Sequence, residues 1–205
     1  MLNVYALTKA ATALIPAGHE VAREQFGGNS KQFFTQSQTK PGKLEVSKAA
    51  NMINFKSGAV RGSFNSKTGK FLSYQIGDVS LITSFPEPYF WRAPTDNDFG
   101  SQMQQKLGFW RNAHNLLQLD TVKVQEQNKE GLVIECFYRM SGVDIPYIIS
   151  YQLLNNGAVK VTAAIYLQNK KLPEMPRFGM RFTLPKSYEQ IDFYGRGPWE
   201  NYSDR

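Results

Sequence analysis

The sequence predicts an all-β chain: an antiparallel β-sandwich preceded by a few strands of another β domain. Three observations carry that expectation. Short stretches alternate with a period near two, as in Val122 and Val124 against Lys123 and Gln125. Turn-forming clusters separate such stretches every ten residues or so. Aromatic residues make up 13% of the chain, mostly Phe and Tyr, a composition that suits pleated surfaces better than helices.

The elements follow in order. Val4, Ala6 and Thr8 alternate with Tyr5, Leu7 and Lys9, which predicts a first strand. Ile15-Pro16-Ala17-Gly18-His19 reads as a turn, and residues 21–26 as a second strand. Beyond Gly27-Gly28-Asn29-Ser30, a short strand over residues 31–38 is centred on Phe33-Phe34. Thr39-Lys40-Pro41-Gly42-Lys43 is polar and rich in turn formers, which places a domain boundary there, with residues 1–40 on one side and 44–205 on the other.

The second domain opens as a meander. Strands are expected over residues 52–56 and 60–64, then over 71–76 after the hairpin loop Asn65-Ser66-Lys67-Thr68-Gly69, and over 79–85 after Gly77-Asp78. Residues 86–100, with three prolines, interrupt the pattern. Residues 101–117 form the one expected helix, with Ser101 as N-cap, Met103, Leu107 and Trp110 on one face, and Gly108 limiting its length. Strands resume over residues 121–127, 131–140, 147–154 and 158–167, the last two joined by a two-residue turn at Asn156-Gly157. Pro173 and Pro176 mark an edge or crossover before final strands at 177–184 and 191–194.

Composition excludes several functions. The formal net charge is +7, but Lys170-Lys171 is the one basic doublet, so the charge reads as solvated surface rather than a nucleic-acid footprint. No stretch approaches the roughly 18–20 apolar residues of a membrane helix. The start lacks the basic region of a signal peptide and alternates like a strand, so the chain is expected to begin inside a domain, with its compartment open. Cys136 is the lone cysteine, expected as a small buried hydrophobe, and with only His19 and His114 no metal spacing appears. The chain carries no β/α rhythm to hold a carboxylate pair, no Gly-x-Ser-x-Gly elbow and no phosphate loop. No catalytic residue and no metal ligand is therefore assigned.

Two polar segments stand out. Residues 91–100 gather Trp91, Arg92, Asp96, Asn97 and Asp98, the mix of flat aromatics and hydroxyl-binding groups that carbohydrate sites use. The alternative is structural, with Arg92 pairing Asp96 or Asp98 to staple a long loop, and the residue chemistry favours it. Residues 195–205 form a Gly/Pro turn followed by Glu200 and Asn201, which either face a ligand or neighbouring domain or satisfy backbone donors. Trp110 and Trp199 are each consistent with core positions.

The segments Arg92-Ala93-Pro94-Thr95-Asp96-Asn97-Asp98 and Gly197-Pro198-Trp199-Glu200-Asn201-Tyr202-Ser203-Asp204-Arg205 resemble signatures of the C-terminal small-chain domain of glycoside hydrolase family 2 β-galactosidases. Ala17-Gly18-His19-Glu20 with Ala22-Arg23-Glu24-Gln25-Phe26 resembles the end of the immunoglobulin-like domain before it. The resemblance implies a galactose-mutarotase-like supersandwich from about residue 44, incomplete at residue 205. It implies that the catalytic glutamates and the magnesium and sodium sites lie on a central barrel upstream. It also implies that Trp91, Trp110 and Trp199 are not that family's active-site tryptophan. The expected partners are the remaining domains of the parent enzyme and a galactoside. An unfinished sandwich leaves open strand edges, so self-association of the chain is expected. A stand-alone carbohydrate-binding module using Trp91, Arg92, Asp96 and Asp98 is a second reading. A mutarotase-like epimerase ranks last, because His114 lacks an evident partner.

Overall fold

The computed structural model describes residues 2–26, 42–167 and 171–191. The chain divides into two compact units, residues 1–40 and 41–205. In the first, β1 (Leu2–Leu7) and β2 (Glu20–Phe26) form an antiparallel hairpin with Leu2 opposite Phe26 and Tyr5 opposite Arg23. Thr8 closes its loop: the hydroxyl donates to the Pro16 carbonyl at 2.7 Å and accepts the His19 N–H at 2.9 Å. Both faces of this ribbon are exposed, including Leu2, Val4, Leu7 and Phe26. The strand expected over residues 31–38 lies outside the described residues.

Among the described residues the second unit holds two larger sheets and a separate two-stranded pair. The first is a five-stranded meander of β3 (Glu45–Ala49), β4 (Met52–Ser57), β5 (Val60–Asn65), β6 (Lys70–Ile76) and β7 (Val79–Ser80), paired in chain order. Then come β8 (Ser84–Tyr89) and two short helices, α1 (Asp96–Gly100) and α2 (Met103–Lys106). The second sheet holds β9 (Leu117–Val124), β10 (Gly131–Met140), β11 (Ile145–Leu154) and β12 (Val159–Ile165), again antiparallel neighbours in chain order. Last, β13 (Gly179–Thr183) returns to pair with β8.

The core lies between the sheets. Along β11 every odd-numbered residue from Ile145 to Leu153 is buried, the period of a strand with one inward face. Ile53, Phe55, Phe64 and Phe71 meet it from the first sheet. Phe71 sets its ring edge-on to Tyr151 at 5.0 Å and stacks on Phe85 at 4.6 Å. A Cβ on Gly62 would sit 2.3 Å from the Phe55 ring, so the bare glycine lets that ring lie against the backbone. Loops of each sheet also dock on the other. Ser57 Oγ donates to Asn155 O at 2.6 Å, Tyr74 Oη to Gly157 O at 3.1 Å, and Tyr138 Oη to Gly69 O at 3.2 Å. Each contributes roughly 1 kcal/mol net and fixes the register of sheet on sheet.

Several expected elements differ. The helix over residues 101–117 is instead α2 and two 3-10 turns, Gly108–Arg111 and Ala113–Leu116, with α1 just before it. Gln102, at φ 61, breaks the path between α1 and α2, and Ser101 ends α1 rather than capping a new helix. The broken path still buries Met103, Trp110 and Ala113, and Trp110 Nε1 donates to Pro173 O at 2.8 Å. Burial outweighs helical continuity where local propensity is weak. The strand over 79–85 splits into β7 and β8, and β8 runs through Pro86 and Pro88; its one described partner is β13, so few ladder bonds need a proline N–H. The two-residue turn at Asn156-Gly157 takes three residues, with the Leu154 N–H bonded to Ala158 O and Gly157 at φ +88. The strand at 177–184 is the shorter β13, Ile191 lies outside any strand, and residues 192–194 fall outside the described residues.

Candidate functional site

The polar segment after β8 is anchored at its base. Phe90 and Trp91 are buried, with the Phe90 ring edge-on to Trp110 at 5.8 Å and to Tyr147 at 5.8 Å. Trp91 is therefore a core residue. The chain then turns outward, and Thr95 stands at the N-terminus of α1 in an extended conformation.

Asp98, on the first turn of α1, gathers the segment together. Arg92 grips it with two prongs, Nη2 to Oδ1 at 2.9 Å and Nη1 to Oδ2. The Thr95 N–H donates to Oδ2 at 2.7 Å and the Thr95 hydroxyl donates to it at 3.0 Å. A carboxylate that reaches back to the N-cap N–H is the returning half of a capping box. The Arg92 hydrogen bonds, followed by the Thr95 N–H, hold the Asp98 carboxyl well below the usual carboxylate range. Asp98 is thus ionised and occupied by its own chain.

What faces outward is a different set. Asp96 and Asn97 are exposed, and their side chains form no hydrogen bond among the described residues. Phe99, 62% exposed, stands beside them. The structure thus sorts the sequence-derived residues into Trp91, Arg92 and Asp98, which shape the segment, and Asp96 and Asn97, which it presents. Phe99 joins the second group. Its signal in the sequence was an aromatic in a polar turn with no neighbouring apolar residue to pack against. Glu200 and Asn201 lie outside the described residues.

A separate apolar concavity was not legible in the sequence. A cleft of about 200 Å³ opens between the sheets, with Phe71, Phe85, Tyr151, Val161 and Phe182 in its walls. These side chains come from five strands. Its apolar lining matches hydrocarbon rather than sugar hydroxyls. His114 does have a partner, with its Nε2 3.3 Å from Arg181 Nη2. Among the described residues no three His, Cys, Asp or Glu side chains converge to hold a metal ion.

The second unit, antiparallel sheets packed face to face with an arginine–aspartate staple in the loop after β8, is an all-β sandwich domain. A family model described as Beta galactosidase small chain matches residues 56–205. The chain belongs to that β-galactosidase small-chain family. It is 31% identical to a β-galactosidase of Priestia megaterium over 95% of its own length and 19% of the relative's. It is 25% identical to one from Streptococcus thermophilus over 99% of its length and 19% of the relative's. A third, from Halalkalibacterium halodurans, is 29% identical over 69% of this chain and 14% of that protein. The chain thus spans no more than about a fifth of the length of these relatives.

Proposed function

We propose that this chain is a non-catalytic C-terminal part of a β-galactosidase that cleaves terminal β-D-galactosides with retention. In this reading it supports a catalytic barrel and shapes the barrel's sugar site. Family membership supports the parent activity. The observation that supports the shaping role is the stapled segment, where Arg92 and Asp98 fix α1 so that Asp96, Asn97 and Phe99 project from a rigid turn. A sugar-facing edge needs groups already in place, since ordering them on binding costs affinity. Residues 1–40 are proposed as strands of an immunoglobulin-like domain. The magnesium and sodium ions implied by the resemblance are proposed to bind on the barrel.

The exposed apolar residues of the hairpin support self-association of the chain on its own, because apolar side chains left in water gain by being covered. Sedimentation at micromolar concentration should show oligomers; a single monomeric species contradicts this.

A binding module acting alone is the second reading, favoured by the exposure of Phe99 beside Asp96 and Asn97. Titrating galactose and lactose into the chain separates the two. Binding at millimolar concentration or tighter, lost on Asn97→Ala, supports the module. Turnover of a chromogenic galactoside by the chain alone would overturn the non-catalytic assignment.

A further inference from the structure

We propose that His114, Arg181 and Glu87 form an acid-sensitive latch that pins β13, and with it the Phe182 wall of the apolar cleft, to the turn over Ala113–Leu116. Among the described residues β13 pairs with β8 alone, and the ladder is irregular between Arg181 and Thr183. Side-chain contacts therefore matter to how firmly it is held. Arg181 supplies three of them. Its Nε bonds Glu87 Oε1 at 2.5 Å, its guanidinium lies 4.7 Å from the Tyr89 ring centroid, and its Nη2 meets His114 Nε2 at 3.3 Å. The His114 ring also packs against Tyr89, 5.6 Å between centroids.

The protonation state follows from the inventory of donors. A guanidinium only donates, so His114 Nε2 must accept, which puts the ring's single proton on Nδ1. That Nδ1 is buried and has no hydrogen-bond partner among the described residues. A second proton would sit on Nε2 and point at the guanidinium, setting two cations against each other. Glu87, from β8, is the one anion among the described residues that acts on the ring, and it is already bonded to Arg181. The end of β10 also lies by this turn, where Ser141, just past the strand, donates its N–H to Leu116 O, but Arg139 of β10 is taken up by Asp120 and Asp144. Burial, then the Arg181 charge, hold the imidazole below its ordinary value, with Glu87 pulling the other way.

The sign is fixed by linkage. A released ring regains an ordinary value of about 6.5, so the released form takes up a proton first as the pH falls. The latch is whole above about pH 6.5 and weakens below it. Between about pH 7.5 and 5.5 the open population rises by at most about tenfold, because the closed ring also begins to protonate. Phe182 adjoins Arg181 in β13, so opening bares Phe71, Phe85 and Tyr151.

Hydrogen exchange of the β13 amides in the whole chain, corrected for intrinsic exchange, tests this. Protection of β13 should fall several-fold across that range while β11 stays constant. His114→Gln, which keeps an acceptor and does not titrate, should flatten the response. Titration of the His114 ring by NMR in the unaltered chain should fall below the free-imidazole value and keeps the test independent of the variant's folding. A β13 protection that ignores pH, an equal response in His114→Gln, or a ring titrating at or above the free value overturns the latch.

Discussion

Arg92 and Asp98 meet in a two-pronged ion pair, and the same carboxylate binds the Thr95 N–H at 2.7 Å. One side chain therefore closes a loop and caps a helix together. Asp98→Asn should lower the melting temperature by a few degrees, and Asp98→Ala by more, since alanine also abandons the Thr95 N–H. The carboxyl is held below its ordinary value, so its contribution is complete above about pH 4 and is lost as the pH falls further. Melting curves of the chain and of Asp98→Asn should therefore differ at neutral pH and converge in acid. A constant difference would show that the charge is not what stabilises the loop.

Tyr147 carries a hydroxyl into the core with no partner among the described residues, ringed by Phe90, Phe178 and Tyr138. A buried hydroxyl without a bond costs about 1–3 kcal/mol. Tyr147→Phe keeps the ring and removes that cost, so it should leave stability unchanged or raise it by about 1 kcal/mol. Urea unfolding decides the matter. A loss of stability would reveal a water bridging the hydroxyl to the protein.

Where the sequence told the truth, one force dominated locally. β10 matches residues 131–140 without adjustment, and β11, whose odd-numbered residues are all buried, starts two residues earlier than expected, because a strand with one inward face cannot slip by one residue without exposing that face. β3 was missed, since Glu45–Ala49 holds one half-buried residue, Val46, and otherwise polar or small exposed ones; its strand is imposed by pairing with β4. α1 was missed because Pro94 and the Asp/Asn cluster read as turn, and the helix exists through the Arg92–Asp98 contact that composition cannot reveal. The staple itself was legible as one of two pairings; only the geometry chose Asp98 over Asp96 and separated the loop's supports from the residues it presents.

Two glycines with positive φ offer a controlled comparison. Gly131 opens β10 at φ +125, and a Cβ there would fall 1.9 Å from the Leu153 carbonyl oxygen. Gly142 sits at φ +83 in the loop before β11 with open space around it. Gly142→Ala should cost about 1 kcal/mol, the backbone penalty alone. Gly131→Ala should cost more than about 3 kcal/mol, because the β10–β11 ladder must part to admit the methyl. Similar unfolding midpoints for the two would mean that the start of the ladder already yields.

Cys136 makes the closure of the sandwich measurable without a mutation. Its Sγ is buried in β10, 3.8 Å from the Gly69 carbonyl oxygen, which also accepts the Tyr138 hydroxyl. The loop of the first sheet thus lies over the thiol of the second. Burial pushes that thiol up to about 12, against a smaller opposing pull from Tyr138. A disulfide reagent needs both contact and thiolate, and the closed sandwich denies both. Modification should therefore be slower by orders of magnitude in native buffer than in denaturant. It should quicken when Tyr74→Phe removes the bond to Gly157 O, a tie at another loop that never touches the cysteine. The raised value also has a sign: the protonated thiol favours the folded chain, so this contribution is whole below about pH 8.5 and fades as the pH climbs through about 12. Rapid labelling of the native chain would mean that the sheets part readily at the Gly69 loop. Slow labelling that ignores Tyr74→Phe would mean that the reagent enters by local fraying near Cys136 rather than by separation of the sheets.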